Sequence, residues 1–129
     1  EMNFKEQTLK MSFNPDEFFC HSDGTILQGG FITTMLDASM AFLVMQLVDF
    51  KKVPLSIDVN VNFLSSGGPK LTIAVARINK IGKSIAFSSA DLFQDDELIA
   101  TASSSIKLKD FESRNWIDDT IGKNVKIIR

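Results

Sequence analysis

A chain of 129 residues with 14 basic and 16 acidic side chains, a formal net charge of -2 and a hydrophobic share of 44% has the composition of one soluble globular domain. So small and balanced a charge supplies no basic face for counterion release, which argues against a nucleic-acid binder. The single cysteine, Cys20, excludes an intrachain disulfide and the single histidine, His21, a His-rich metal centre, so no metal and a reducing cytoplasm are expected.

Glu1 to Lys5 lack the basic-then-apolar layout of a secretory signal. One domain over 1–129 is expected, with its core at about 9–108 and the tail 109–129, which holds Trp116, left unassigned. Residues 7–13 alternate, with Leu9, Met11 and Phe13 on one side, and read as a strand. Asn14-Pro15-Asp16 ends it, and an irregular stretch runs on through Cys20, His21 and Gly24.

From Gly30 the period becomes helical. Ile32, Met35, Leu36, Met40, Leu43, Val44 and Leu47 recur at three- and four-residue steps, and Ala38, Ala41 and Phe42 leave little of the circumference polar. Asp37, Gln46 and several hydroxyls interrupt the apolar run 31–48, so it is read as a buried helix and not as a membrane span.

After Pro54 the period becomes two. Leu55, Ile57, Val59, Val61 and Phe63 alternate with Ser56, Asp58, Asn60 and Asn62, as in a strand with one face on a core. Turn residues at 65–69, at 79–82 and at 94–97 divide the remainder into strands at 71–78, 84–93 and 98–108. Four successive strands joined by short turns read as an antiparallel meander. The expected fold class is therefore α+β, with a sheet curled around one long helix. The eleven phenylalanines are expected mostly in the core.

Asp37 is the only formal charge between Gly24 and Asp49 and lies within the apolar helix. A carboxylate in such a place finds hydrogen bonds or has its ionisation perturbed, and either suits a general base or nucleophile. The alternative is a structural Asp37 sharing a narrow polar strip with Thr33 and Thr34. Gln28-Gly29-Gly30 stands at the start of the helix, where unpaired N–H groups and the helix dipole favour a ligand oxygen. That is oxyanion-hole chemistry, set against the alternative of a tight turn. Gly29 and Asp37 are eight residues apart, about 12 Å along a helix, so they act on one carbonyl only if they come from different chains. A functional site here therefore predicts a homodimer with antiparallel helices. Cys20 and His21, adjacent on extended chain, point to opposite sides and do not make a nucleophile and base pair.

The stretch Gln28-Gly29-Gly30-Phe31-Ile32-Thr33-Thr34-Met35-Leu36-Asp37 resembles the H/Q-G-G-x6-D signature of hotdog-fold acyl-CoA thioesterases, in the phenylacetate-type (PaaI-like) subgroup of the 4-hydroxybenzoyl-CoA thioesterase superfamily. The strand beginning Leu55-Ser56-Ile57-Asp58 and the hairpin Ile81-Gly82-Lys83-Ser84 are also similar to that family, over about residues 9–108. The resemblance implies a hotdog fold and hydrolysis of an acyl-CoA by a dimer or dimer of dimers, with no cofactor besides the CoA of the substrate. It implies Asp37 as general base or nucleophile, Gly29 N–H as oxyanion donor, Ser56 as the hydroxyl that places water, and Gln28 where His is commoner. Gly30, Asp58, Lys80, Gly82, Lys83, Ser84 and Lys107 would contact the substrate, the basic ones at the nucleotide end. Gly82-Lys83-Ser84 also imitates the end of a P-loop, but Arg77 stands where that motif needs a glycine. The competing reading is a hotdog module that binds acyl-CoA without cleaving it; a dehydratase of this fold would need a catalytic His motif that His21 does not supply.

Overall fold

The structure, a computed structural model, describes residues 1–110 and 127–128. In chain order it has β1 (Met2–Asn3), β2 (Thr8–Phe13), a 3₁₀ turn (Glu17–Phe19), the small hairpin β3 (Cys20–His21) and β4 (Ile26–Leu27), and helix α1 (Gly29–Leu47). Four long strands follow, β5 (Lys52–Phe63), β6 (Thr72–Ile81), β7 (Ile85–Gln94) and β8 (Glu97–Asp110), then β9 (Ile127–Ile128). Trp116 lies outside the described residues.

The main sheet runs β5-β8-β7-β6-β2-β1-β9, antiparallel except for the parallel pair β1 and β9, and five of its strands pack on α1. Helix and sheet meet at close range because the sheet presents small residues. Ala74, Ala76, Ala86, Ala90 and Ala100 lie fully buried, as do Leu36, Met40, Leu43 and Val44 of the helix. Each of those larger side chains contributes roughly 1.5–3 kcal/mol by leaving water. The helix is long and apolar enough to cross a bilayer, yet here it forms the centre of the sheet's concave face.

Three expectations are corrected. β5 does not neighbour β6: the meander is β6-β7-β8, and β5 pairs with β8. Residues 64–71 are too long for a hairpin loop and instead cross the end of the sheet. They are tied there by Leu64 and Ser65 N–H groups on the Ile99 carbonyl, by Leu27 N–H on the Gly67 carbonyl, and by the Gln94 amide, which bonds both N–H and C=O of Gly68. Secondly, the tail is not without structure at its end, since Ile127 and Ile128 pair with Met2 and Asn3 at the sheet edge. Thirdly, none of the described phenylalanines is fully buried. The alanine-lined gap under the helix has no room for rings, so they gather at the rim.

A bulge in β5 changes what the strand offers. Ser56 pairs with Ile106 and Asp58 with Ser105, leaving Ile57 as the extra residue. Directly paired residues share a face, so Pro54 and Ser56, opposite buried Leu108 and Ile106, join Val59 and Val61 on the helix side. Leu55 moves to the outer face with Asp58 and Asn60. The strict alternation of the sequence had placed Leu55 with Val59 and Ser56 with Asp58; the inserted residue reverses the phase of the first half of the strand.

Candidate active site

Gly29 and Gly30 do not precede the helix but form its first two positions, with Gln28 as the N-cap. Gln28 has an extended backbone (φ -70, ψ 135), and its N–H donates to the Phe19 carbonyl at 2.9 Å. Its carbonyl and side-chain Oε1 both accept from Phe31 N–H, at 3.0 and 3.3 Å. That leaves Nε2 as an exposed donor with no acceptor among the described residues. The Gly29 and Gly30 N–H groups likewise have none, as expected of a first helical turn. Close approach requires both glycines: a Cβ at Gly30 would stand 2.7 Å from Gln28 Oε1, and one at Gly29 would stand 3.3 Å from the Phe63 ring.

Two turns further on, Asp37 is half-buried. Ser56 donates from its hydroxyl to Asp37 Oδ1 at 2.6 Å. The bulge at Ile57 makes this bond possible by turning Ser56 to the helix side. Thr33 and Thr34 do not share the carboxylate. Each donates back to a helix carbonyl, Thr33 to Gly29 and Thr34 to Gly30, both at 2.9 Å. Among the described residues Ser56 is the one hydrogen-bond partner of Asp37, and the other carboxylate oxygen faces outward unbonded. A polar strip that satisfies itself is therefore not what the helix carries.

One chain thus presents an N–H donor group and a carboxylate group on one helix, about 12 Å apart along its axis. A family model described as the Thioesterase superfamily matches residues 24–101, the stretch that contains both groups. The chain belongs to the thioesterase superfamily. No curated protein matches it. Among solved structures it is similar to a phenylacetic acid degradation-related protein from Ralstonia eutropha JMP134, at 23% identity over 83% of this chain and 80% of that one, with a TM-score of 0.79. A thioesterase from Haemophilus influenzae is 15% identical over 87% of this chain and 78% of its own, with a TM-score of 0.77. A Bacillus halodurans protein solved with CoA is 19% identical over 77% and 66%, with a TM-score of 0.71. The fold of this thioesterase is the hotdog fold.

The remaining sequence-derived candidates separate into two places. Gly82, Lys83 and Ser84 form the β6–β7 turn, all exposed, with Gly82 N–H on the Ile85 carbonyl and the Lys83 carbonyl held by Lys52 Nζ at 2.6 Å. Lys80, Lys107 and Asp58 lie on the outer face of the sheet, away from the helix. Lys80 is paired with Phe87, and Lys107 sits between Ile85 and Leu55. Asp58 Oδ1 accepts Ser105 N–H at 2.8 Å, so this side chain fastens the bulge and does not meet Asp37. The turn and Lys107 share the end of the sheet where Ser56 holds Asp37. No sequence signal pointed to Phe63, which lies against Gly29 because β5 and the helix run side by side, or to the phenylalanines beside the first half of the helix.

Proposed function

We propose that this thioester hydrolase cleaves acyl-CoA to a free acid and CoA, at sites each assembled from two copies of the chain. The observation that carries the reading is the division of the helix into an N–H donor end and a carboxylate that Ser56 holds, too far apart to serve one carbonyl within a chain. An antiparallel partner brings its Asp37 to the Gly29 of the first chain, and the reverse, giving two equal sites.

Two features support that dimer. β5 ends the sheet, with β8 as its neighbour, and on this edge strand Leu55 is 45% and Ile57 59% exposed. An open apolar edge of this kind is covered in stable proteins. The helix also leaves a strip of small residues, Gly30, Thr34, Ala38 and Ala41, outside the fully buried core, where a second helix can approach.

In the reaction the Gly29 N–H, at the positive end of the helix, holds the thioester oxygen as it becomes an oxyanion. Asp37 of the facing chain takes a proton from water, the water oxygen bonds to the acyl carbon, and collapse of the tetrahedral intermediate breaks the carbon–sulfur bond. The proton then passes to the departing thiolate. If Asp37 instead attacks directly, an anhydride forms, and its hydrolysis places solvent oxygen in the Asp37 carboxylate; oxygen-18 under single turnover separates the two routes. Gln28 Nε2 adds a hydrogen-bond donor but no proton shuttle. Gly82, Lys83, Ser84, Lys80 and Lys107 hold the phosphates of CoA beside the chain that supplies Asp37. The reaction takes place in the cytoplasm and uses no metal.

Thiol release from short, medium, long and aromatic acyl-CoAs tests this, with wild type beside Asp37→Ala. Wild type turns over, and the variant loses on the order of 10³-fold in kcat while it stays folded and dimeric. Equal turnover by the variant would remove Asp37 from the mechanism. Saturable binding with no thiol release by wild type would make the protein a binding module.

A further inference from the structure

A hollow of about 240 Å³ lies beside the first half of α1. Its walls are Phe13 and Pro15 on one side, Phe19 from the 3₁₀ turn, and Phe31, Thr34 and Met35 from the helix. Phe19 and Phe31 meet edge to face, ring centres 4.6 Å apart at 88°. Thr34 has its hydroxyl committed to the Gly30 carbonyl, so it offers the hollow no free donor. Phe31 follows Gly30 directly, and Thr34 stands midway between Gly30 and Asp37. The hollow therefore lies within about one helical turn of both catalytic groups. A second hollow, about 450 Å³ between Gly29, Phe63, Ser65 and Ser66, is wider and carries hydroxyls, which suits the amide-bearing arm of the carrier.

We infer that the aromatic hollow receives the acyl group and limits it to about six to eight carbons, as a short chain or a single ring, with Phe13, Phe19 and Phe31 setting the limit. This rests on the acyl-CoA reading above. The size argument is direct: an apolar cavity of about 150 Å³ admits a benzene ring, so one of this volume holds a ring with two or three further methylene-sized groups and excludes a long chain. The placement of the rings supports the same conclusion. Phe19 and Phe31 are each 39% exposed, so they do not serve the core, and they converge on this one hollow beside the site.

The test is calorimetric titration of the full chain with S-alkyl-CoA thioethers, which bind without being cleaved, from butyl to hexadecyl, beside thiol release from the matching acyl-CoAs. Affinity rises about fourfold per methylene up to about eight carbons and then levels or falls. Phe19→Ala moves the limit outward by about two to four carbons and Phe13→Trp moves it inward. The two variants change the volume in opposite directions at partly exposed positions, so a folding defect in one leaves the other informative. An affinity indifferent to chain length, or a limit that neither variant moves, overturns the inference even if thiol is released. A series with the expected limit but no thiol release leaves the hollow standing and overturns the hydrolase reading. Failure of both free CoA and every thioether to bind overturns both.

Discussion

Every second residue of β8 from Ala100 to Leu108 is buried against the helix, whereas its neighbour β5, with as apolar a sequence, leaves Leu55 and Ile57 about half exposed. The two strands are paired along almost their whole length, so the difference is not one of propensity. β8 has a strand on each side and its burial is complete within the chain; β5 has β8 on one side and an open edge on the other. The same open strand carries the bulge that hands Ser56 to Asp37. Interior stability and the site are thus assigned to adjacent strands, and the half that carries function is the half that one chain leaves uncovered.

Substitutions on the two strands should separate these roles. The largest effect on folding is expected at Ile106→Ala in β8, which opens a cavity among fully buried side chains and costs about 2–5 kcal/mol, read as a lower midpoint in urea. Ile57→Lys on β5 alters a residue that is 59% exposed, so folding of the single chain changes by no more than about 0.5 kcal/mol. In sedimentation, however, the variant runs as a monomer at concentrations where wild type is dimeric, and turnover falls with the loss of dimer. A dimeric, fully active Ile57→Lys would show that β5 is not the covered edge. Ser56→Ala removes the hydroxyl that fixes Asp37, and about a tenfold fall in kcat with little change in KM is expected, with Ser56→Thr recovering part of it. An unchanged kcat would reduce Ser56 to a bystander.

Much of this could be read from the residues. The helix was visible because its apolar positions keep a helical period across nearly twenty residues, and Gln28-Gly29-Gly30 with Asp37 was visible because glycines at a helix start and a lone carboxylate in an apolar run are both unusual. β6, β7 and β8 were legible for similar reasons, since Asp95 and Asp96, at φ 48 and 63, make the two-residue turn that joins the last pair. What was hidden is long-range. Nothing local in 64–71 says that β5 will pair with β8, because that depends on Gly67, Gly68 and Gln94 meeting across the end of the sheet. The bulge at Ile57 was invisible because the alternation of residues 55–63 is perfect in the sequence, and it is the pairing with β8 that inserts the extra residue. The phenylalanines misled for a different reason: size and hydrophobicity favour burial, but the alanines under the helix had already closed the space.

The central claim is that each site takes its oxyanion donor from one chain and its carboxylate from the other, and a mixing experiment with two inactive variants addresses it directly. Asp37→Ala deletes the carboxylate. Gly29→Pro deletes the N–H at the first helical position, where proline is tolerated and where the extended backbone of Gln28 already suits a following proline; alone it loses on the order of 10²–10³-fold in kcat. Unfolding the two together and refolding them as mixed dimers should restore about one quarter of wild-type turnover, because half the dimers are mixed and each of those holds one intact site of two. Turnover no higher than that of either variant alone would place both groups of a site in the same chain and contradict the account.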